Sequence, residues 1–567
     1  MIRQIKLLPV LGVAVAVACS AVWQRAAVAA PPTQTTAGPP AGTGSYDDLL
    51  SLHSELRRYM VPAFTDSVVL DSGAKVGEEY ADALMADKLR HLQAFEVRLR
   101  DMNVAAWPRA QQVDYLAVKS LLNGYRFNLE VLRPWKRDPG FYLDPLIRVA
   151  FTEIPNDRDK VAELQTRLRQ VPLMLRHART ALTKPTADYT DLALFNLENS
   201  DGVNHYHPYR AVPPAGIIGW YDDLLARSRA ADSPLTPDVE AARAAIGGYR
   251  DWLKAKRPQI TALAGVGAKR YEWYMRHVRM VPYTIPQMLT LAEREHSRLM
   301  ADLALTRHRN RALPQPTLSR TKAEQDAKIA ETDRAIRDFL KTQEIVTVPA
   351  HIGDLGSNTP FIVRPKGPNF WEQIQFRDPI PDHLHAVIPG HRFDAELAKL
   401  DQRPIRGQFA DGVRLEGWAT YLEEALMRAG AVRSARAEES IQLFGVFRAA
   451  RVAADIHMQQ NRWKVADAVE YMRRMTPLLD EDVARVDAEI YLRRAPGYGV
   501  AYSIGKLQVD ELLAERTMQL GSEFVLKDFH DQFLAAGRLP IALIRYEMTG
   551  RPESVAPFWT TPPIPQS

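Results

Sequence analysis

A mainly α-helical body with one small β-hairpin is the fold predicted for this chain of 567 residues. Three observations predict it. Apolar residues recur at threes and fours through most of the sequence, and Pro-rich breaks cut that pattern into helix-sized pieces. One stretch, Ile345 to Val363, instead sets β-branched residues among turn formers. The length allows two or more lobes at about 100 to 200 residues each, and no fixed-period repeat suggests a solenoid.

The chain opens on Arg3 and Lys6, an apolar run from Leu7 to Val22, and the small residues Ala27 to Ala30. This is the pattern of a secretory signal, and cleavage after Ala29 fits its small-x-small rule, making residues 1–29 the signal peptide. Ala16-Val17-Ala18-Cys19 offers a second reading, lipid attachment at Cys19. Cys19 is the only cysteine, so no intramolecular disulfide is available and stability must come from packing. No other segment approaches the roughly 18 apolar residues of a membrane span. The expected location is periplasmic or extracellular, with lipid anchoring at the cell envelope as the alternative. A membrane is a partner only if Cys19 is lipidated.

Residues 30–44 are mostly Pro, Thr, Gly and Ala, a composition that cannot repay ordering entropy and predicts a disordered linker. An N-terminal helical region, 45–310, follows. Leu49, Leu50, His53, Leu56 and Tyr59 share helical spacing, and Tyr80 to Leu99, Gln111 to Leu132, Lys160 to Leu182, Asp238 to Lys256 and Ile285 to Leu305 repeat it. Breaks fall at Pro155, Pro213-Pro214, Pro234 and Pro314-Gln315-Pro316. The C-terminal helical region, 311–567, holds Lys322 to Thr342, the Ile345 to Val363 hairpin, and helical patterns at Glu416 to Arg428, Ala435 to Gln460, Val465 to Met475, Asp480 to Leu492, Gly499 to Leu520 and Leu526 to Ala536. The charge of +5 arises from 73 basic and 68 acidic residues scattered through both halves. Without a basic stripe, nucleic acid is not an expected partner.

The chemistry concentrates in Asp382-His383-Leu384-His385-Ala386-Val387-Ile388-Pro389-Gly390-His391, which packs three of the 14 histidines into nine residues. Neutral imidazole is a common zinc ligand, and a catalytic zinc site usually takes three protein ligands. Glu416 stands 25 positions past His391 and opens Glu416-Gly417-Trp418-Ala419-Thr420-Tyr421-Leu422-Glu423. On a regular helix, residues six apart differ by about 240° around the axis and face away from each other. His385 and His391 can therefore converge only if Pro389 and Gly390 break the helix between them. His383 is an alternative ligand. Helical spacing puts Thr420, Glu423 and Met427 near the face of Glu416, which gives Glu423 reach as a supporting group, and Gly417 allows a neighbouring backbone to approach closely.

These segments resemble the bacterial domain-of-unknown-function family 885. His385 to His391 is similar to its His-Glu-x-x-Pro-Gly-His motif, and Glu416 to Glu423 to its Glu-Gly-Trp-Ala-x-Tyr-x-Glu motif. The resemblance extends through Arg451 to His457, Pro496-Gly497 with Tyr502 to Lys506, and Phe529-His530-Asp531 with Gly537 to Pro540, and it starts near Gly267. It implies a zinc-carboxypeptidase-like helical fold and a metallopeptidase activity on peptides or amide-containing small substrates, with zinc held by His385, His391 and Glu416. Tyr502 and His457 would be hydrogen-bond donors to a developing oxyanion, Glu423 a further catalytic-site carboxylate, and Arg451 a fork for a substrate carboxylate.

Two positions depart from that pattern. Ala386 stands where the general base would be, and Tyr498 where glutamine would be expected. A methyl group cannot accept a proton, and a positioned base is worth about 10²- to 10⁴-fold. Asp382, Asp394, Glu396 and Glu423 are alternative bases that the sequence does not rank. The sequence thus supports an exported zinc metallopeptidase-like protein whose hydrolysis is impaired or specialised. Its alternative is a catalytically inactive relative that binds peptides or proteins in the periplasm. Plainer readings stand beside these: His457 and His530 as core histidines, Tyr502 as a packing residue, the Tyr271-Trp273-Tyr274 and Trp371 aromatics as core, and His205-Tyr206-His207 as a weak metal motif.

Overall fold

The computed structural model describes residues 38–60, 80–200, 215–364 and 367–566. The signal segment, Cys19 and His205-Tyr206-His207 lie outside the described residues. The remainder is mainly α-helical. Tyr46–Met60, Asp82–Arg100, Arg158–Ala181, Thr236–Lys256, Ile285–Arg309 and Lys322–Thr342 form where the apolar spacing predicts them. Arg109–Phe127 continues into a π-helical turn, Asn128–Leu132. In the C-terminal half, Gly412–Ala429, Ala435–Gln459, Val465–Met475, Glu481–Arg493, Tyr498–Leu520 and Leu526–Ala535 do the same. Ala187–Glu198 carries little amphipathic signal because Tyr189, Thr190, Leu192, Ala193, Asn196 and Leu197 bury it on several sides, which erases the polar stripe that periodicity needs.

The hairpin expected over Ile345 to Val363 does not form, and no β-strand occurs among the described residues. The backbone groups of this segment find side chains instead of a partner strand. Asp531 accepts from Thr347 N at 2.8 Å, Arg337 donates to the carbonyls of Ile352 and Gly353, Arg392 donates to Leu355 O, and His530 reaches Ile345 O at 2.8 Å. Main-chain polar groups satisfied this way leave no ladder to build. Part of the expected linker is likewise tied down: Thr43 N donates to Asp101 O at 2.8 Å and Asn103 N to Gly44 O at 2.8 Å.

The main apolar core runs from Leu49 to Trp559 without a break at residue 310. Lys119 donates to Phe558 O, Tyr189 to Leu492 O and Arg493 to Asp138, so N-terminal helices are bonded directly to the C-terminal half. Asp411 caps Gly412–Ala429 by accepting from Arg414 N at 2.9 Å, satisfying one of the donors a helix start leaves open. Gly430, at φ 94°, closes the other end, with Ala431 N returning to Leu426 O.

One crossing sets the geometry of everything that follows. A Cβ on Gly417 would lie 2.6 Å from the backbone of Gly505, and one on Gly505 would lie 2.4 Å from Val413 O. Gly412–Ala429 and Tyr498–Leu520 thus touch main chain to main chain, which brings Tyr498 beside Glu416.

Candidate functional site

His385 lies in a π-helical turn, His383–Val387, that ends where Ile388 turns extended. Gly390 then folds back against the turn: a Cβ there would sit 1.8 Å from the carbonyl oxygen of His385, so only glycine fits. A new helix, His391–Lys399, starts at once. The break predicted at Pro389-Gly390 therefore returns His391 to His385, with Trp418 Nε1 holding Pro389 O at 3.1 Å.

Three side chains converge. His391 Nε2 is 3.2 Å from His385 Nε2 and 3.2 Å from Glu416 Oε2, and His385 Nε2 is 3.5 Å from the same oxygen. His385, His391 and Glu416 form the one group of histidine, cysteine and carboxylate residues among the described residues with metal-ligand spacing. Ligands about 2.0 to 2.2 Å from a tetrahedral zinc ion lie about 3.3 Å apart, so the observed separations fit such an ion. His391 keeps 31% of its side chain exposed while His385 and Glu416 are largely covered, so the cluster opens on the His391 side.

Glu423 stands behind His385, its Oε1 2.8 Å from Nδ1, and Arg448 clamps the other carboxylate oxygen. His385 Nδ1 has two neighbours, the Glu423 carboxylate at 2.8 Å and the Arg448 guanidinium at 3.2 Å; with its proton toward the carboxylate, the Nε2 lone pair faces His391 and Glu416. Burial and Arg448 press the His385 imidazolium down, but Glu416 and Glu423 outweigh them and its pKa rises. Burial alone would raise the Glu416 carboxyl; His391 and His385 hold it well below the ordinary range. Tyr498 donates to Glu416 Oε1 at 3.3 Å, so the departure from the expected glutamine still supplies a donor. Burial and the Glu416 charge push the Tyr498 phenol up to about 12. Tyr502 stacks on His385 with ring centroids 6.3 Å apart, and burial raises its phenol further still, so it remains a donor.

Not every expected residue joins the cluster. His457 packs against Trp463 with ring centroids 4.5 Å apart and planes tilted by 49°, and nine residues past Arg448 it falls roughly 180° round the helix from the face that meets Glu423, so it is not brought to the cluster. Arg451 is adjacent but engaged. It is 3% exposed, lies 2.9 Å from Asp487 and packs over Phe447 and Tyr502, so its fork is turned to the protein interior rather than to a substrate carboxylate. His383 pairs with Asp333 at 2.9 Å and is not part of the ligand set. Of the alternative bases, Asp394 is bound to Arg414 at 2.6 Å, Glu396 to Lys399 at 2.6 Å, and Glu423 lies behind His385. Asp382 has the amide of Asn358 at 3.3 Å and feels the charge of His385 and His383. Ala386 itself is 4% exposed, within the core. Sequence reasoning missed Arg448, although its position one helical turn before Arg451 marked the same face of the same helix.

This is a partly buried two-histidine, one-carboxylate cluster in a mainly helical scaffold. Residues 383–548 match the family model described as "Bacterial protein of unknown function (DUF885)", which supports the resemblance read from the motifs. Two solved structures share the fold along most of the chain. A candidate lipoprotein of unknown function from Shewanella oneidensis is 20% identical, with 89% of this chain and 100% of that one covered and a TM-score of 0.62. A candidate lipoprotein from Colwellia psychrerythraea is 15% identical, with 90% and 99% covered and a TM-score of 0.64. At these identities the likeness is one of fold. No curated protein matches the chain.

Proposed function

We propose that the protein is an exported, zinc-dependent hydrolase of peptide or amide bonds, with chemistry slowed or specialised by the loss of its general base. The observation that carries this reading is the spacing of His385 Nε2, His391 Nε2 and Glu416 Oε2, at 3.2, 3.2 and 3.5 Å. Zinc bound there would supply Lewis acidity to a substrate carbonyl and to water. The chain's own groups divide the remaining tasks: Glu423 and Arg448 orient His385, Tyr498 fixes Glu416, and Tyr502 offers a proton-bearing oxygen beside the imidazole. The signal segment supports export, and the description of both structural relatives as candidate lipoproteins supports a lipid anchor at Cys19 as the way the mature chain is held at the envelope.

A second reading rests on Ala386. With no carboxylate at that position, the same site serves as a catalytically silent peptide-binding module. Zinc content by elemental analysis and cleavage of a peptide library, on the wild type and Ala386→Glu, separate the two. Turnover by the zinc-loaded wild type, lost on chelation and restored by zinc, supports the hydrolase. Activity only in Ala386→Glu, expected to gain about 10²- to 10⁴-fold, supports the silent module. Zinc-supplemented, folded protein that retains no zinc overturns the metal reading.

A further inference from the structure

A cavity of about 380 Å³ lies away from the histidine cluster, where the N-terminal helices meet the C-terminal half. Its walls come from Tyr46–Met60, from Arg109–Phe127 with its π-helical extension, from Tyr274 to Arg279, and from two C-terminal corners, Gln408 to Asp411 and Arg493 to Ala495. Its volume is in the range of small-ligand sites.

We infer that this cavity is a binding site for a small molecule with a carboxylate at one end and an apolar body, anchored by Arg57. The polar groups of the lining are unevenly satisfied. Arg493 is fully engaged, by Asp138 at 2.8 Å, Asp144 at 3.0 Å and Glu489 at 2.9 Å. Arg279 faces Asp411 at 3.3 Å. Arg57 has no acidic partner among the described residues, and its one hydrogen bond there is a long contact, 3.4 Å to Gln408 O. A guanidinium carries five N–H donors in a fork matched to a carboxylate, so most of the capacity of this lining residue is unspent on the described residues. Neighbouring His53 is 3% exposed and held neutral by burial and by Arg57 itself, with its pKa brought down to about 4; it adds no competing charge. Leu121, Leu132, Val278 and Phe409 supply apolar wall. An amine would meet Arg57 as a like charge, and an alcohol would leave the fork half filled.

The test uses the full mature protein carrying His391→Ala, so that a carboxylate held by metal cannot be mistaken for one held by Arg57. Hexanoate, hexylamine and hexanol are compared by calorimetry and thermal shift. Hexanoate is expected to bind about tenfold or more tightly than the other two, a margin of about 1.4 kcal/mol. Arg57→Gln is expected to reduce hexanoate to the level of hexanol, and Arg57→Lys to retain part of the preference. Equal binding of all three probes, hexanoate binding unchanged by Arg57→Gln, or no hexanoate binding at all overturns the proposal. The histidine cluster's role is untouched by any of these results.

Discussion

The helix Gly412–Ala429 faces two buried histidines on opposite flanks, and their surroundings differ in kind. On one flank, Glu416 and Glu423 meet His385, whose Nδ1 is backed by a carboxylate and whose Nε2 points at two other ligand atoms. On the other, Trp418 and Tyr421 meet His530, which is 1% exposed, with Nδ1 on Ile345 O at 2.8 Å and Nε2 on the Tyr421 hydroxyl at 2.8 Å. Both nitrogens of His530 are used up by neutral partners, and burial takes its pKa down to about 4. Burial is common to the two; what separates a ligand from a packing residue is a carboxylate behind and an unspent lone pair in front.

The comparison breaks first at the metal. His391→Ala is expected to lower bound zinc from one equivalent to background by elemental analysis, whereas His530→Ala keeps its zinc and loses about 2 to 4 kcal/mol of stability in chemical denaturation, from two stranded hydrogen-bond partners and a cavity. Zinc lost equally from both variants would erase the distinction. Glu423→Gln comes next: chelator competition should read a 10- to 100-fold weaker site, because His385 loses the charge that orients it. Gly417→Ala forces a methyl group into the Gly505 backbone and should cost about 1 to 3 kcal/mol, with zinc affinity falling alongside as Tyr498 shifts from Glu416. The smallest effect is graded in pH. His53, His277 and His530 each have a folded pKa brought down to about 4, chiefly by burial, below the unfolded value of about 6.5. The unfolded chain therefore binds more protons between those values, so the stability they contribute is present above about pH 6.5 and lost as pH falls through about 4. Denaturation midpoints across this window should fall with pH, and His530→Gln, which cannot titrate, should flatten the slope.

Much of this was legible in residues alone. Helical spacing marks the long surface helices because they have one wet face, and the Pro389-Gly390 break between two histidines six positions apart announces a reversal. Glu423 behind the ligands follows from its seven-residue spacing to Glu416. What was hidden is what depends on distant partners. The Ile345 to Val363 stretch has the composition of a hairpin, but Arg337, Arg392, Asp531 and His530 take its backbone groups. Arg451 is matched to Asp487 from another helix, and His457 occupies the wrong face by a rotation that no local motif records. Arg57 carries no motif at all; its proposed role rests on the lack of an acidic partner among the described residues.

The glycine contact between residues 417 and 505 has a mechanical consequence. Where two helices rest on side chains, rotamer hops and solvent changes let their separation breathe; where they rest on backbone atoms there is nothing compressible between them. Glu416 is the immediate neighbour of that contact, and Tyr498 rides on the same pair of rods. The gap between the carboxylate and its phenol donor is thus gauged by covalent dimensions, and substitutions in the surrounding core can be absorbed without changing the calibre of the centre.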